Sequence, residues 1–249
     1  MAGLKEVTFT VLSASEAAEN ICALRLAGDT SAITSPGQFV SLAVPGKFLR
    51  RPFSVCDVEE EVLTVIFKIN GAGTEALAGL APGSEISALT GLGNGYDLSA
   101  SGRTPLLAAG GTGASPMLLL AKRLLAQGSK PGVILGFASS REAYLYRELE
   151  SLGIDVKIAT IDGSLGTKGL VTDIMPTPGT YSYLYSCGPE PMERALYGLC
   201  NTGSQFSLEE RMGCGYGACM GCSRQFVSGS KRICRDGPVF EGSDIIWRT

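Results

Sequence analysis

Residues 104–120, TPLLAAGGTGASPMLLL, carry the reading of the fold. An apolar run, TPLLAAGG, enters a glycine turn. Ser115–Gln127 follows as a helix candidate, with Pro116 in its first turn, where the missing N–H and fixed φ of proline are tolerated. The alternation then continues. GVILGFAS (132–139) reads as a strand, REAYLYRELESLG (141–153) as a helix and VKIATID (156–162) as a strand. YSYLYSCG (181–188) is a further strand, followed by a helix from Pro191 to Leu199. Strands alternating with helices predict a parallel, doubly wound α/β sheet. The opening stretch is also the most apolar in the chain, but Gly110, Gly111, Gly113 and Pro116 interrupt it, so it does not read as a membrane span.

Upstream, residues 1–99 read as β-rich. VTFTVLSASEA, ICALRLAG, GQFVSLAV, FSVCDVEE and VLTVIFKIN are short apolar runs with partial alternation, punctuated by Pro36-Gly37, Pro45-Gly46, Gly71 and Pro82-Gly83. This spacing predicts a small antiparallel barrel, with a short helix over Glu75–Leu80. Downstream, residues 203–249 are short, Gly-rich and Cys-rich, with few apolar residues for a core of their own, so a metal centre is expected to hold them. The expected organisation is a barrel (1–99), an α/β domain (100–202) and a small C-terminal metal domain (203–249).

Composition narrows the chemistry. The 249 residues are 45% apolar and 18% charged, which is globular rather than disordered. The net charge of −3 and the lack of a basic stripe argue against a nucleic-acid binder. There is no histidine, so a Ser-His-Asp triad, a histidine-zinc centre and a Rieske cluster are all excluded. The first residues hold no apolar run of the signal-peptide kind, which predicts a cytoplasmic, reducing setting where clustered cysteines hold metal more often than they form disulfides.

The cysteines are unevenly placed. Cys22, Cys56, Cys187 and Cys200 are isolated and read as small buried residues. Cys214-x4-Cys219-x2-Cys222, then Cys234, has the spacing of a plant-type [2Fe–2S] site. A loop must wrap the cluster and aim thiolates inward, so small neighbours are needed for backbone N–H groups to approach the sulfurs. Gly213, Gly215, Gly217, Ala218 and Gly221 supply them. Structural zinc, which prefers two close pairs, and disulfides remain the alternatives.

The glycine turn, Gly110-Gly111-Thr112-Gly113, ends a strand and opens a helix, where free N–H groups favour a phosphate. It lacks the GxGxxG pattern, so a plain turn is the competing reading. Cys187-Gly188-Pro189 ends a later strand and faces the same side of the sheet, where ligands of α/β folds bind.

The order of motifs adds a family. Arg51-Pro52-Phe53-Ser54-Val55 in a β domain, then GGTGASP, then CGPEPM, resembles the ferredoxin–NADP reductase superfamily. SLEERMGCGYGACMGC leading into CRDGPVF narrows the resemblance to electron-transfer subunits of NAD-linked, heteromeric (class B) dihydroorotate dehydrogenases, along the whole chain. The resemblance implies FAD in the barrel, NAD on the α/β domain and a [2Fe–2S] cluster on Cys214, Cys219, Cys222 and Cys234. It assigns Arg51 to the flavin pyrophosphate and Ser54 to the ring near N5, with Pro52 and Phe53 in the same motif. Lys68, Ile69 and Asn70 would line the flavin, and Gly73 and Thr74 would approach its pyrophosphate. Gly110, Gly111, Thr112 and Gly113 would face the NAD phosphates, and Cys187, Gly188 and Pro189 the nicotinamide. Asp162 sits where an acid would disfavour a 2′-phosphate, hence NAD rather than NADP. The turn departs from the GGGxGxxP of many relatives by carrying Thr112.

The implied partner is an FMN-containing catalytic subunit in a two-plus-two heterotetramer, with electrons leaving as NADH in the pyrimidine pathway. Hydride transfer asks for no protein acid or base, so no catalytic side chain is assigned. Flavin subunits of a sulfide dehydrogenase or a ferredoxin:NADP transhydrogenase share this architecture, and a zinc-stabilised binding module is the alternative outside redox enzymes.

Overall fold

A computed structural model describes residues 3–248. Strands β1 (Lys5–Ala18), β2 (Ile21–Ala27), β3 (Phe39–Leu42), β4 (Arg51–Glu59), β5 (Val62–Lys68) and β6 (Glu85–Leu92) close an antiparallel barrel in the order β1-β2-β5-β4-β3-β6. Phe9, Leu24, Leu42, Leu63 and Val65 fill it and are fully buried. The sixth strand is absent from the sequence expectation. Its EISALTGL alternates strictly, burying Ile86, Ala88, Thr90 and Leu92, but two of those four are small or polar and give little apolar signal. Helix α1 (Ala72–Ala78) lies slightly earlier than expected.

The second sheet is β7 (Leu106–Gly110), β8 (Gly132–Phe137), β9 (Asp155–Thr160), β10 (Thr167–Lys168), β11 (Leu184–Cys187) and β12 (Ser204–Ser207), all parallel. An antiparallel edge strand, Val239–Glu241, pairs with β12. The strand order β10-β9-β8-β7-β11-β12 reverses direction between β7 and β11, so the crevice at their carboxyl ends is the topological switch point. Helix α2 (Met117–Ala126) buries Met117, Leu120 and Leu124 completely, and truncating one of these leucines to alanine is expected to cost about 2–5 kcal/mol. Helix α4 (Glu190–Leu199) follows β11.

Two expectations give way. The helix expected over 141–153 shrinks to α3 (Tyr146–Ser151). Leu145 takes a left-handed φ of 63°, and the Tyr144 hydroxyl donates to the carbonyls of Gly111 and Thr112 (3.2 Å each), so the chain breaks to send a tyrosine under the glycine turn. The C-terminal stretch does have a core. Phe206, Leu208, Phe226, Ile233, Phe240 and Ile245 are buried together with Leu184 and Leu196 of the preceding sheet and helix. Its strands β13 (Ser223–Phe226) and β14 (Gly229–Arg232) form a hairpin, followed by α5 (Ile233–Asp236) and the edge strand β15 (Val239–Glu241). Among the described residues, no helix is long and apolar enough to cross a membrane.

Candidate functional site

A cavity of about 310 Å³ opens between the barrel and the second sheet. Pro52, Phe53 and Ser54 of β4 wall it on one side, with Lys68 and Asn70 at the end of β5, and Thr112 and Ser115 of the glycine turn on the other. Phe53 stacks on Phe67 at 4.7 Å, which fixes the apolar wall. Arg51 points its guanidinium at backbone carbonyls (Leu49 O, 2.9 Å), and among the described residues it forms no ion pair with a carboxylate. A Cβ on Gly73 would stand 3.1 Å from Arg51 Nε, so the bare glycine leaves the guanidinium room beside the start of α1. An unpaired arginine next to a helix start suits a pyrophosphate.

Two neighbours turn elsewhere. Ile69 packs on the barrel core, and its N–H donates to Asn20 O (2.7 Å). The Thr74 hydroxyl is engaged locally, accepting from Asn70 N (2.7 Å) and donating to Gly71 O (3.0 Å).

The switch-point crevice holds two further spaces. One, about 290 Å³, is lined by Gly110, Gly111 and Thr112, by Gly188 and Pro189, and by Lys68, Glu142, Tyr144 and Glu209. The other, about 420 Å³, is nearly all apolar, with Phe137, Ile161, Leu170, Val171 and Met192 beside Gly110 and Gly111. The glycines divide the labour. Gly111 has φ 53° and nothing within 4 Å of where a Cβ would stand, so its freedom serves the turn and the open crevice. Gly113 lies outside both linings. Its Cβ would come 2.1 Å from Cys187 O, so it is small in order to let α2 start against β11.

Cys187 is likewise buried and lines none of these spaces, and desolvation pushes its thiol well above the ordinary range; of the run Cys187-Gly188-Pro189, Gly188 and Pro189 face the crevice. Asp162 is exposed beside Ile161. Its carboxylate accepts from Ser164 Oγ (2.7 Å) and N (2.9 Å), and these hydrogen bonds lower its pKa.

The four clustered cysteines stand as two adjacent pairs. Cys214 Sγ accepts from the N–H groups of Ala218 (3.2 Å) and Cys219 (3.4 Å), and Cys219 Sγ from Cys214 N (3.5 Å). Cys222 and Cys234 bring their sulfurs to 3.2 Å, and Cys234 N donates to Cys222 Sγ (3.4 Å). A two-iron cluster takes two thiolates on each iron, so this pairing of the first with the second cysteine and the third with the fourth fits it. A Cβ on Gly213 or Gly221 would stand 3.2 or 3.5 Å from Cys219 Sγ, so the small residues do hug the sulfur. Desolvation opposes ionisation of Cys214, but N–H donors from Cys219, Tyr216 and Ala218 outweigh it and bring the thiol down to about 6.

Residues 209–246 match the iron–sulfur cluster binding domain of dihydroorotate dehydrogenase B. The chain is 38% identical, over 98% of its length and 99% of the relative's, to a dihydroorotate dehydrogenase B (NAD(+)) electron transfer subunit of Geobacillus sp. (strain WCH70). The corresponding subunit of Caldanaerobacter subterraneus subsp. tengcongensis is 41% identical over 85% of this chain and 87% of its own. This chain belongs to that family of electron transfer subunits. Among solved structures, an NADH-dependent reduced ferredoxin–NADP oxidoreductase superposes with a TM-score of 0.85 at 24% identity, over 96% of this chain and 90% of that one. An Amycolatopsis cytochrome P450 reductase gives 0.69 at 24% identity, over 79% and 66%. The fold is therefore that of the ferredoxin–NADP reductases.

Within this family fold, sequence reasoning missed the far wall of the first cavity: Ser207, Leu208, Glu209, Glu210, Met212 and Pro238. These belong to the segment assigned to the cluster, and the signal was their position. The chain leaves β12 at a strand's carboxyl end and must pass the crevice to reach Cys214.

Proposed function

We propose that this chain holds FAD against its barrel, NAD at the switch-point crevice and a [2Fe–2S] cluster on Cys214, Cys219, Cys222 and Cys234, and so carries electrons from an FMN-bearing dihydroorotate dehydrogenase subunit to NAD+. The observation that carries the reading is the shared wall. Met212 and Pro238, which flank the cysteine-bearing segments, line the same cavity as Pro52, Phe53 and Ser54. When bound, the cluster supplies one-electron transfer and the flavin converts it to the two-electron hydride chemistry of NAD.

The side chains have separable tasks. Arg51 binds pyrophosphate with a charge-assisted fork beside Gly73 and Thr74. Ser54 offers a hydroxyl, and Lys68 and Asn70 shape the ring site. Gly110, Gly111 and Thr112 admit the dinucleotide phosphates, and Gly188 and Pro189 border the nicotinamide. Asp162 selects against a 2′-phosphate, favouring NAD. The division into 1–99, 100–202 and 203–249 follows these tasks, although the last stretch shares its core with the second. A two-plus-two assembly with the catalytic subunit and a cytoplasmic location complete the proposal, together with a place in pyrimidine biosynthesis.

The test is anaerobic purification of this chain co-expressed with its catalytic partner. The expected result is two iron and two sulfide per chain, FAD here and FMN on the partner, and reduction of NAD+ by dihydroorotate that the single chain does not catalyse. Zinc in place of iron, or a large glutamate-synthase-like iron–sulfur partner, would overturn it.

A further inference from the structure

The start of α4 walls both spaces of the switch-point crevice. Gly188 and Pro189 line the smaller one, and Pro189, Pro191 and Met192 the larger. This wall has little local support. No side chain caps the helix, and Pro189 and Pro191 bring no N–H to it. Glu190, between them, lines neither space. Among the described residues, every polar partner of its carboxylate comes from the C-terminal segment. Arg224 Nη2 donates to Oε1 at 2.5 Å and Arg248 N to the same oxygen at 3.1 Å, and the Arg248 guanidinium stands 3.8 Å from Oε2. Burial opposes ionisation of Glu190, but these two arginines outweigh it and hold the carboxyl below its ordinary value.

Each arginine leads to the cluster site. Arg224 is buried on β13, two residues past Cys222, and the β13–β14 hairpin runs between Cys222 and Cys234. Arg248 pairs with Glu210, four residues before Cys214, and its carbonyl accepts from Arg194 of α4 (2.8 Å). The first branch stands on the packed core around Cys222 and Cys234. The second starts from the irregular run 208–222, which carries Cys214 and Cys219. Iron on these two thiolates fixes that run, and with it Glu210 and the strap through Arg248 to Glu190.

We propose that Glu190 is a positioning residue that couples the cluster site to the dinucleotide site. With the cluster in place, both arginines hold the crevice wall against which NAD+ binds; with it absent, the strap through Arg248 slackens and the wall loosens. The inference rests on the proposed function, since it needs iron on the four cysteines and NAD+ in the crevice. Such coupling is reciprocal, so bound NAD+ in turn holds the cluster more firmly.

The probe is NAD+ itself, titrated calorimetrically into the two-subunit complex before and after its iron is removed by a chelator. Removing iron is expected to weaken NAD+ binding about fivefold, the lower end of typical couplings, with FAD content unchanged. As a second readout, saturating NAD+ should slow iron loss to the chelator several-fold. Glu190→Gln keeps the shape but removes the charge that gathers both arginines. The loaded variant should bind NAD+ about fivefold more weakly, and removing its iron should then change the affinity less than about twofold. A merely structural glutamate would lower both affinities and leave their ratio unchanged. Arg248→Gln, at the exposed chain end, removes one strap alone and should also bring the ratio below about two. Equal NAD+ affinity of loaded and iron-free wild type, or a ratio that survives in either variant, would overturn the proposal. Where the wild-type complex holds iron and binds NAD+ in those cases, the proposed function stands. A complex that holds no iron or binds no NAD+ overturns both.

Discussion

The two cysteine pairs of the cluster site sit in opposite surroundings. Cys214 and Cys219 lie on an irregular loop between residues 213 and 221, where Tyr216 and Met220 are half exposed, and their sulfurs take their polar contacts from backbone N–H groups and from each other. Cys222 and Cys234 are each 2% exposed and belong to the core formed by Phe226, Ile233, Phe240 and Ile245. The outer pair is arranged by glycine-permitted loop geometry, whereas the inner pair is arranged by packing. The difference teaches that the metal does not hold the whole segment. Half of its anchor is built by the fold, and the other half is closed over it by a loop whose N–H groups favour thiolate.

The largest consequence is chemical. Cys214 titrates near 6, whereas desolvation and the neighbouring Cys222 push Cys234 up to about 12. Because the thiolate is the nucleophile, and a low-pKa thiolate is intrinsically less nucleophilic, iron-free protein treated with iodoacetamide at pH 7 should be labelled at Cys214 about a hundredfold faster than at Cys234. Cys214 labelling should rise as the pH is raised through 6 and then level off, since its thiolate is already formed above that point. Peptide mapping by mass spectrometry reads both rates. Similar rates at the two sites would erase the distinction between the pairs.

A smaller effect follows in stability. Both Cys222→Ala and Cys214→Ala should abolish stoichiometric iron. In iron-free protein, Cys222→Ala leaves a void in a packed core and should lower the unfolding free energy by about 1–2 kcal/mol, while Cys214→Ala on the loop should stay within about 0.5 kcal/mol of wild type. Urea titrations of the stripped variants check this, and equal losses would show that the loop pair is as deeply integrated as the core pair.

The same contrast explains what could be read from the sequence. The four cysteines announced themselves because cluster ligation fixes spacing within a few residues, and the glycine turn because strand, turn and helix are contiguous. The core under the inner pair was hidden. Strand β12 is SQFS, and its Ser204, Gln205 and Ser207 are buried polar residues that carry no apolar pattern. Gln205 is accommodated by long-range partners, donating to Glu241 (2.6 Å) and accepting from Asp97 N (2.9 Å), which no local window reveals. Gly113 was legible as a required glycine, but its reason, the backbone of Cys187, lies 74 positions away. Glu209 lies inside SLEERMGCGYGACMGC, which was read for its cysteines, and only its place in the linings of two cavities marks it as part of the crevice.

The smallest effect sharpens the comparison most, because it separates the loaded loop from the empty one. A methyl on Gly213 would stand 3.2 Å from Cys219 Sγ, tighter than ordinary contact, and one on Gly221 would stand at 3.5 Å, within it. In iron-free protein the Cys219 side chain is exposed and can rotate away, so Gly213→Ala should not change stability measurably. Once the thiolate is fixed on iron it cannot yield, and the strain must fall on the loop. Gly213→Ala should therefore release iron several-fold faster to a chelator, a difference of about 1 kcal/mol, while Gly221→Ala should release it at the wild-type rate. If Gly213→Ala destabilised the iron-free chain as well, the loop would be held by packing in the absence of metal, and the outer pair would be no different in kind from the inner one.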